Sequence, residues 1–191
     1  MSGFLFILFI KNNGSLKEVN RVELLTVADF EEIYEILENS FPENERRGKE
    51  RQRALFSDGH YRVYGKKEDG RLVAFIAVWE LSKVNFIEHF AVSPSHRGKG
   101  MGRELLLELI GGMGGRFCLE VEPPDCDIAK RRIAFYERCG FFFHSYDYTQ
   151  PSMDIGREAI PLRIMTSFPS LSENDFKALR DLLYREIYKV I

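Results

Sequence analysis

The segment Ser93-Pro94-Ser95-His96-Arg97-Gly98-Lys99-Gly100-Met101-Gly102 constrains this chain more than any other. It joins an apolar extended run, Asn85 to Val92, to an apolar helical run, Arg103 to Ile110. Glycine at 98, 100 and 102 frees the backbone from Cβ clashes and lets a ligand approach the main chain closely. Amides at a helix start have no intrahelical partner and lie at the positive end of the helix dipole, so the turn suits a pyrophosphate. Arg97 and Lys99 add local positive charge. The plainer alternative is a solvated glycine-rich turn. Two other phosphate motifs do not fit: Gly98-Lys99 runs into Gly100-Met101 where a P-loop needs Ser or Thr, and the glycines read G-x-G-x-G where a dinucleotide fold needs G-x-G-x-x-G.

The surrounding pattern alternates strand and helix. A short strand Val22 to Leu25 precedes Thr26, a predicted N-cap for a helix to about Asn39 with Phe30, Ile33, Tyr34 and Leu37 as its apolar stripe. A second short helix ends near Phe56. Tyr61 to Lys66 and Leu72 to Leu81 form a hairpin around Asp69-Gly70. After the glycine-rich turn, a helix to Ile110 ends at Gly111 to Gly115. It is followed by a strand Arg116 to Val121 and a helix Ile128 to Arg138, which closes at Gly140. Phe141 to Tyr148 and Pro161 to Ser167 are extended, and one amphipathic helix runs from Glu173 to Ile191. Strand, helix, strand in succession predicts a parallel crossover, hence a mixed α/β sheet.

With 191 residues the chain suits one domain. Residues 1–21 form an arm or extra strand, 22–168 the α/β domain, and 169–191 a terminal helix packed on the domain or on a partner subunit. The apolar Phe4 to Ile10 is too short to span a bilayer. A net charge of −2 gives no basic excess for nucleic acid or an anionic membrane. Cys118, Cys126 and Cys139 have neither zinc spacing nor an even count, so the expectation is a cytoplasmic protein without a metal.

Two ordered motifs resemble the GNAT superfamily of acyl-CoA-dependent N-acetyltransferases. Arg97, Gly100 and Gly102 match its Q/R-x-x-G-x-G/A signature after Phe90-Ala91-Val92, and Phe135-Tyr136-Glu137-Arg138-Cys139-Gly140-Phe141 is similar to its F-Y-x-x-x-G-F segment. The likeness runs from about Val22 to Ser167. It implies a mixed central sheet with two splayed parallel strands flanked by helices, and acetyl-CoA as acetyl donor. Phe90, Ala91 and Val92 would pair with its pantetheine arm, and Arg97, Gly98, Lys99, Gly100, Met101 and Gly102 would hold its pyrophosphate. Tyr136 would give a proton to the departing thiolate and contribute to cofactor binding. Ala129 stands where many relatives have an asparagine.

Attack on a thioester needs a neutral amine, whereas a lysine-like amine, with a pKa of about 10.4, is almost fully protonated at neutral pH. Strict alternation puts Phe86, Glu88, Phe90 and Val92 on one strand face, making Glu88 a candidate base among apolar neighbours. A carboxylate paired with an arginine is the other reading of Glu88, and His89 reads as a core histidine. Glu45, Arg46, Trp79, Glu120, Glu122 and Tyr148 are candidate acceptor-binding residues, the carboxylates favouring a cationic amine. The reaction expected is acetyl transfer to a primary amine of a small molecule or peptide, in a ternary complex. A catalytically weak acetyl-CoA-binding sensor is the alternative. A homodimer through the terminal helix is a further expectation.

Overall fold

The computed structural model of the protein describes residues 21–190. The expected arm over residues 1–21, with Phe4 to Ile10, lies outside them except for Arg21. Strand β1 (Glu23–Leu25) leads to a single 3-10 turn and helix α1 (Phe30–Glu38). Thr26 caps the turn reciprocally: its hydroxyl accepts from the Ala28 amide, and the Asp29 carboxylate accepts from the Thr26 amide at 2.8 Å. Helix α2 (Lys49–Ala54) precedes β2 (Tyr61–Glu68) and β3 (Arg71–Glu80). Their two-residue turn puts Asp69 at φ +51° and Gly70 at φ +76°, the left-handed pair that a tight hairpin needs.

Then follow β4 (Asn85–Val92), α3 (Met101–Met113), β5 (Phe117–Val121), α4 (Asp127–Arg138), β6 (Phe142–Gln150), β7 (Ile160–Thr166) and α5 (Glu173–Leu183). Two ends differ from the sequence reading. Gly111 and Gly112 stay helical, because Leu105, Leu106 and Leu109 bury the helix; α3 stops only where Gly114 takes φ +65°. The last helix does not run evenly to Ile191. It widens after Leu183 into a π turn over Tyr184–Tyr188, closed by Lys189 at φ +57°.

The seven strands order as β1-β2-β3-β4-β5-β7-β6, with β4 and β5 parallel and every other pair antiparallel. Helices α1 and α5 cover one face of the sheet around Phe30, Phe75, Phe86 and Leu183, so α5 packs on its own domain. The opposite face packs under α3 and α4 around Ile76, Leu105, Leu119 and Met165.

The site arises from a break in this regularity. Ala77 pairs with His89 and Val78 with Ile87, which leaves Glu88 as one extra residue, a β-bulge. Side-chain alternation therefore shifts at Glu88. Phe86 faces the α1/α5 core, whereas Phe90 and Val92 face α3 and α4, so the single-face set expected from strict alternation is corrected. Beside the bulge the parallel ladder stops: β4 and β5 pair from Asn85 and Phe117 only as far as Ile87 and Leu119. Beyond that point the two strands diverge.

Candidate active site

The gap between the strands opens into a cleft of about 640 Å³ that reaches from the start of α3 to Glu45, Glu120 and Gln150. At one end Gly98 and Gly100 adopt φ +76° and +84°, and Gly100 is the N-cap of α3 with no side chain capping the helix. The first-turn amides of this 13-residue helix thus lack side-chain partners at a dipole end that favours anions. Gly102 has a different reason to be glycine: a Cβ there would lie 3.2 Å from Phe90 and 3.3 Å from Val92, so its absence lets α3 settle on β4.

Arg97 does not extend freely toward the turn. Its Nε donates to the Val92 carbonyl at 2.9 Å and a terminal nitrogen donates to Ser40 Oγ at 3.1 Å, fastening the turn to β4 and α1. Lys99 is exposed and does not line the cleft, while Gly98, Gly100, Met101 and Gly102 do. Arg103, Arg132 and Arg138 bring cationic side chains to the wall.

Tyr136 lines the cleft from the α3/α4 side, its ring 5.2 Å from Phe135, 5.8 Å from Phe141 and 6.5 Å from Phe90. Burial raises its phenol well above the ordinary range, so it keeps its proton at any physiological pH. Ala129 is buried on the same helix.

Two carboxylates approach the gap with contrasting surroundings. Glu88, at the bulge, has a side chain only 2% exposed and is paired with Arg47 at 2.8 Å. Burial alone would raise its pKa, but the Arg47 charge and the neighbouring His89 outweigh that and hold it at about 2. Its second oxygen lies 3.4 Å from His89 Nδ1. His89 Nε2 donates to the Glu45 carbonyl at 2.9 Å and its ring packs edge-on to Phe41, consistent with its reading as a core histidine.

Glu120, on β5, borders the cleft and accepts from the Tyr148 hydroxyl; the Tyr188 hydroxyl lies 2.9 and 2.8 Å from its two oxygens. Burial outweighs these hydrogen bonds and raises it to about 7. Glu45 is also pushed up, by burial and then by Glu122, while Glu122 itself pairs with Arg132.

The sequence model of the Acetyltransferase (GNAT) family matches residues 30–141. The chain belongs to the GNAT acetyltransferase family. Among solved structures it is similar to a GNAT-family acetyltransferase assignment from Bacteroides thetaiotaomicron at 32% identity and TM-score 0.81, covering 90% of this chain and 99% of that one. It is also similar to the ribosomal-protein-S18-alanine N-acetyltransferase of Escherichia coli at 25% identity and TM-score 0.60, covering 82% and 98%. A spermidine N-acetyltransferase variant from Vibrio cholerae shares the fold at 17% identity and TM-score 0.57, covering 76% and 92%. No curated protein matches significantly.

Within this GNAT domain the predicted residues divide. Phe90, Ala91, Val92, Tyr136, Glu45, Glu88, Glu120 and Glu122 come together around the cleft. Three predicted acceptor contacts do not line it. Trp79 is buried in the core, with the Arg47 guanidinium 6.0 Å above its ring. Arg46 turns back to α1, donating to Tyr34 at 2.9 Å and Glu38 at 3.2 Å. Tyr148 is buried behind Glu120 and bonds to it. Sequence reading missed Arg132, although it lies one helical turn before Tyr136 and therefore on the same face. It also missed Tyr188, which no spacing connects to Glu120. Among the described residues no His, Cys, Asp and Glu cluster could hold a metal, and no helix is long and apolar enough to cross a membrane.

Proposed function

We propose that this GNAT protein moves an acetyl group from acetyl-CoA to a primary amine. One observation carries the reading: a continuous cleft joins the uncapped start of α3 to the partly buried carboxylate of Glu120 by way of the gap between β4 and β5. The residues fit acetyl-CoA on chemical grounds. Backbone amides at Gly100, Met101 and Gly102 would hold the pyrophosphate, and the β4 main chain past Ile87, unpaired on its β5 side, would pair with the pantetheine amides. When bound, acetyl-CoA supplies an activated acetyl thioester.

Around it, the chain's own groups divide the proton work. Glu120 takes a proton from the acceptor ammonium, since a base with a pKa near the working pH is both available and strong enough to act. Glu88 is too weak a base for this, and its negative charge is already committed to Arg47. As the amine nitrogen bonds to the acetyl carbon and the carbon–sulfur bond breaks, Tyr136 gives its proton to the sulfur, and the proton that the attacking nitrogen loses on becoming an amide restores the phenol. Glu45, Glu120 and Glu122 favour a cationic acceptor, and the E. coli relative's alanine acceptor supports including peptide amino termini among the candidates.

Two measurements test the reading. Gly100→Val should weaken acetyl-CoA binding in calorimetry by at least about tenfold, because valine is strained at φ +84° and crowds the amides. Unchanged affinity would rule out the turn as the pyrophosphate site. A screen of peptide amino termini, polyamines and aminoglycosides for CoA release identifies the acceptor; tight binding with no turnover on any amine would favour the sensor alternative. With that acceptor, Tyr136→Phe should lower kcat by about 10²–10⁴-fold while sparing acetyl-CoA affinity. A wild-type kcat in this variant would make water the proton donor.

A further inference from the structure

The segment after the family-matched residues 30–141 ends at the proposed catalytic carboxylate. Helix α5 is anchored by Phe176 and Leu183, and the π turn by Ile187, all at most 5% exposed. Tyr184 fastens this turn to the sheet by donating to the Thr149 carbonyl of β6. The Val190 amide closes it by bonding to the Tyr184 carbonyl at 3.1 Å. The wider π winding changes the direction in which the last side chains leave the helix, and single π turns are frequent at functional sites. Here it brings Tyr188, 9% exposed, to Glu120.

We propose that Tyr188 is a positioning residue: delivered by the π turn, its hydroxyl holds the Glu120 carboxylate in one orientation toward the acceptor end of the cleft. The proposal rests on the reading of Glu120 as the base. The geometry supports a specific hold, because the phenol oxygen lies within 2.9 Å of both carboxylate oxygens, while Tyr148 approaches from β6. With two phenols on it, the carboxylate has little freedom to rotate. Glu88 on β4, Arg47 from the α1–α2 connection and Cys118 on β5 complete the charged and titratable surroundings, with Tyr184 on the π turn nearby. Of these, Glu88 opposes charge on Glu120 and Arg47 favours it.

A phenol donating to a carboxylate stabilises its charged form, so losing the Tyr188 hydroxyl should make Glu120 harder to ionise. The test is a titration of side-chain carboxyl 13C resonances in the full chain, with Glu120→Gln identifying the Glu120 signal. In Tyr188→Phe the midpoint should rise by about one to two pH units, the loss of one hydrogen bond to a charged group. Site-specific 3,5-difluorotyrosine at position 188, a stronger donor of the same shape, should move it down. A midpoint unmoved by both replacements overturns the proposal, since packing alone would not give shifts of opposite sign. The base reading fails separately, if Glu120→Gln turns over the acceptor with the wild-type pH profile.

Discussion

Replacing Glu120 by glutamine is expected to lower turnover by about 10²–10⁴-fold near neutral pH, the usual contribution of a positioned general base. Glutamine keeps the shape and can still bond to Tyr148 and Tyr188, so the change removes the proton acceptor with little disturbance of packing. The pH profile carries the diagnosis. Because Glu120 must be ionised to act and burial raises it to about 7, wild-type kcat/KM should rise with pH through about 7. In Glu120→Gln that limb should vanish, and the rate should climb roughly tenfold per pH unit at higher pH, following the free-amine fraction. If instead Glu88→Gln abolished the limb and Glu120→Gln retained it, the assignment of the two carboxylates would be reversed.

The largest stability loss is expected from Arg47→Ala. Arg47 and Glu88 have side chains 6% and 2% exposed, and removing the cation strands a buried carboxylate. Breaking such a pair typically costs about 3–5 kcal/mol. At about 2–4 °C per kcal/mol for a domain of this size, the midpoint of thermal unfolding should fall by roughly 10 °C. The sign of its pH dependence follows from Glu88, whose pKa is depressed from 4.5 to about 2 in the folded chain. The resulting stability is present above about pH 4.5 and is lost as pH falls toward 2. Arg47→Ala should abolish that acid-side loss along with the stability itself. Thermal melts of both proteins from pH 2 to 7 measure it, and an unchanged melting midpoint at pH 7 would mean that the pair contributes nothing net.

The sequence shows the frame of this site more clearly than its chemistry. Local signals carried far: Thr26 capped the 3-10 turn that leads into α1, Asp69-Gly70 made the hairpin, and the glycines at 98 and 100 took the left-handed conformations that the turn needs. Glu88 was misplaced because strict alternation allows no extra residue, and nothing in Phe86-Ile87-Glu88-His89 marks a bulge. Its arginine partner was anticipated as a type of neighbour, yet Arg47 lies 41 residues away and only the folded chain brings it there. Glu120 had the same difficulty in greater measure, as its two phenols come from 28 and 68 residues downstream. Burial raises both of these chemically identical carboxylates, and the partners that hold one at about 2 and leave the other at about 7 are brought together only by tertiary structure.

The bulge at Glu88 also makes the cleft a matter of parity. One supernumerary residue changes which half of β4 faces which core, and the ladder with β5 ends beside it. Substitutions along this strand can therefore retune the walls, and with them the amine admitted, while the opening persists. A one-residue deletion is a different kind of change. It restores even alternation with Phe90 and Val92 still toward α3 and α4, and removes both Glu88 and the irregularity at which the two parallel strands part. Divergence within this architecture is thus free in side-chain identity and constrained in strand length.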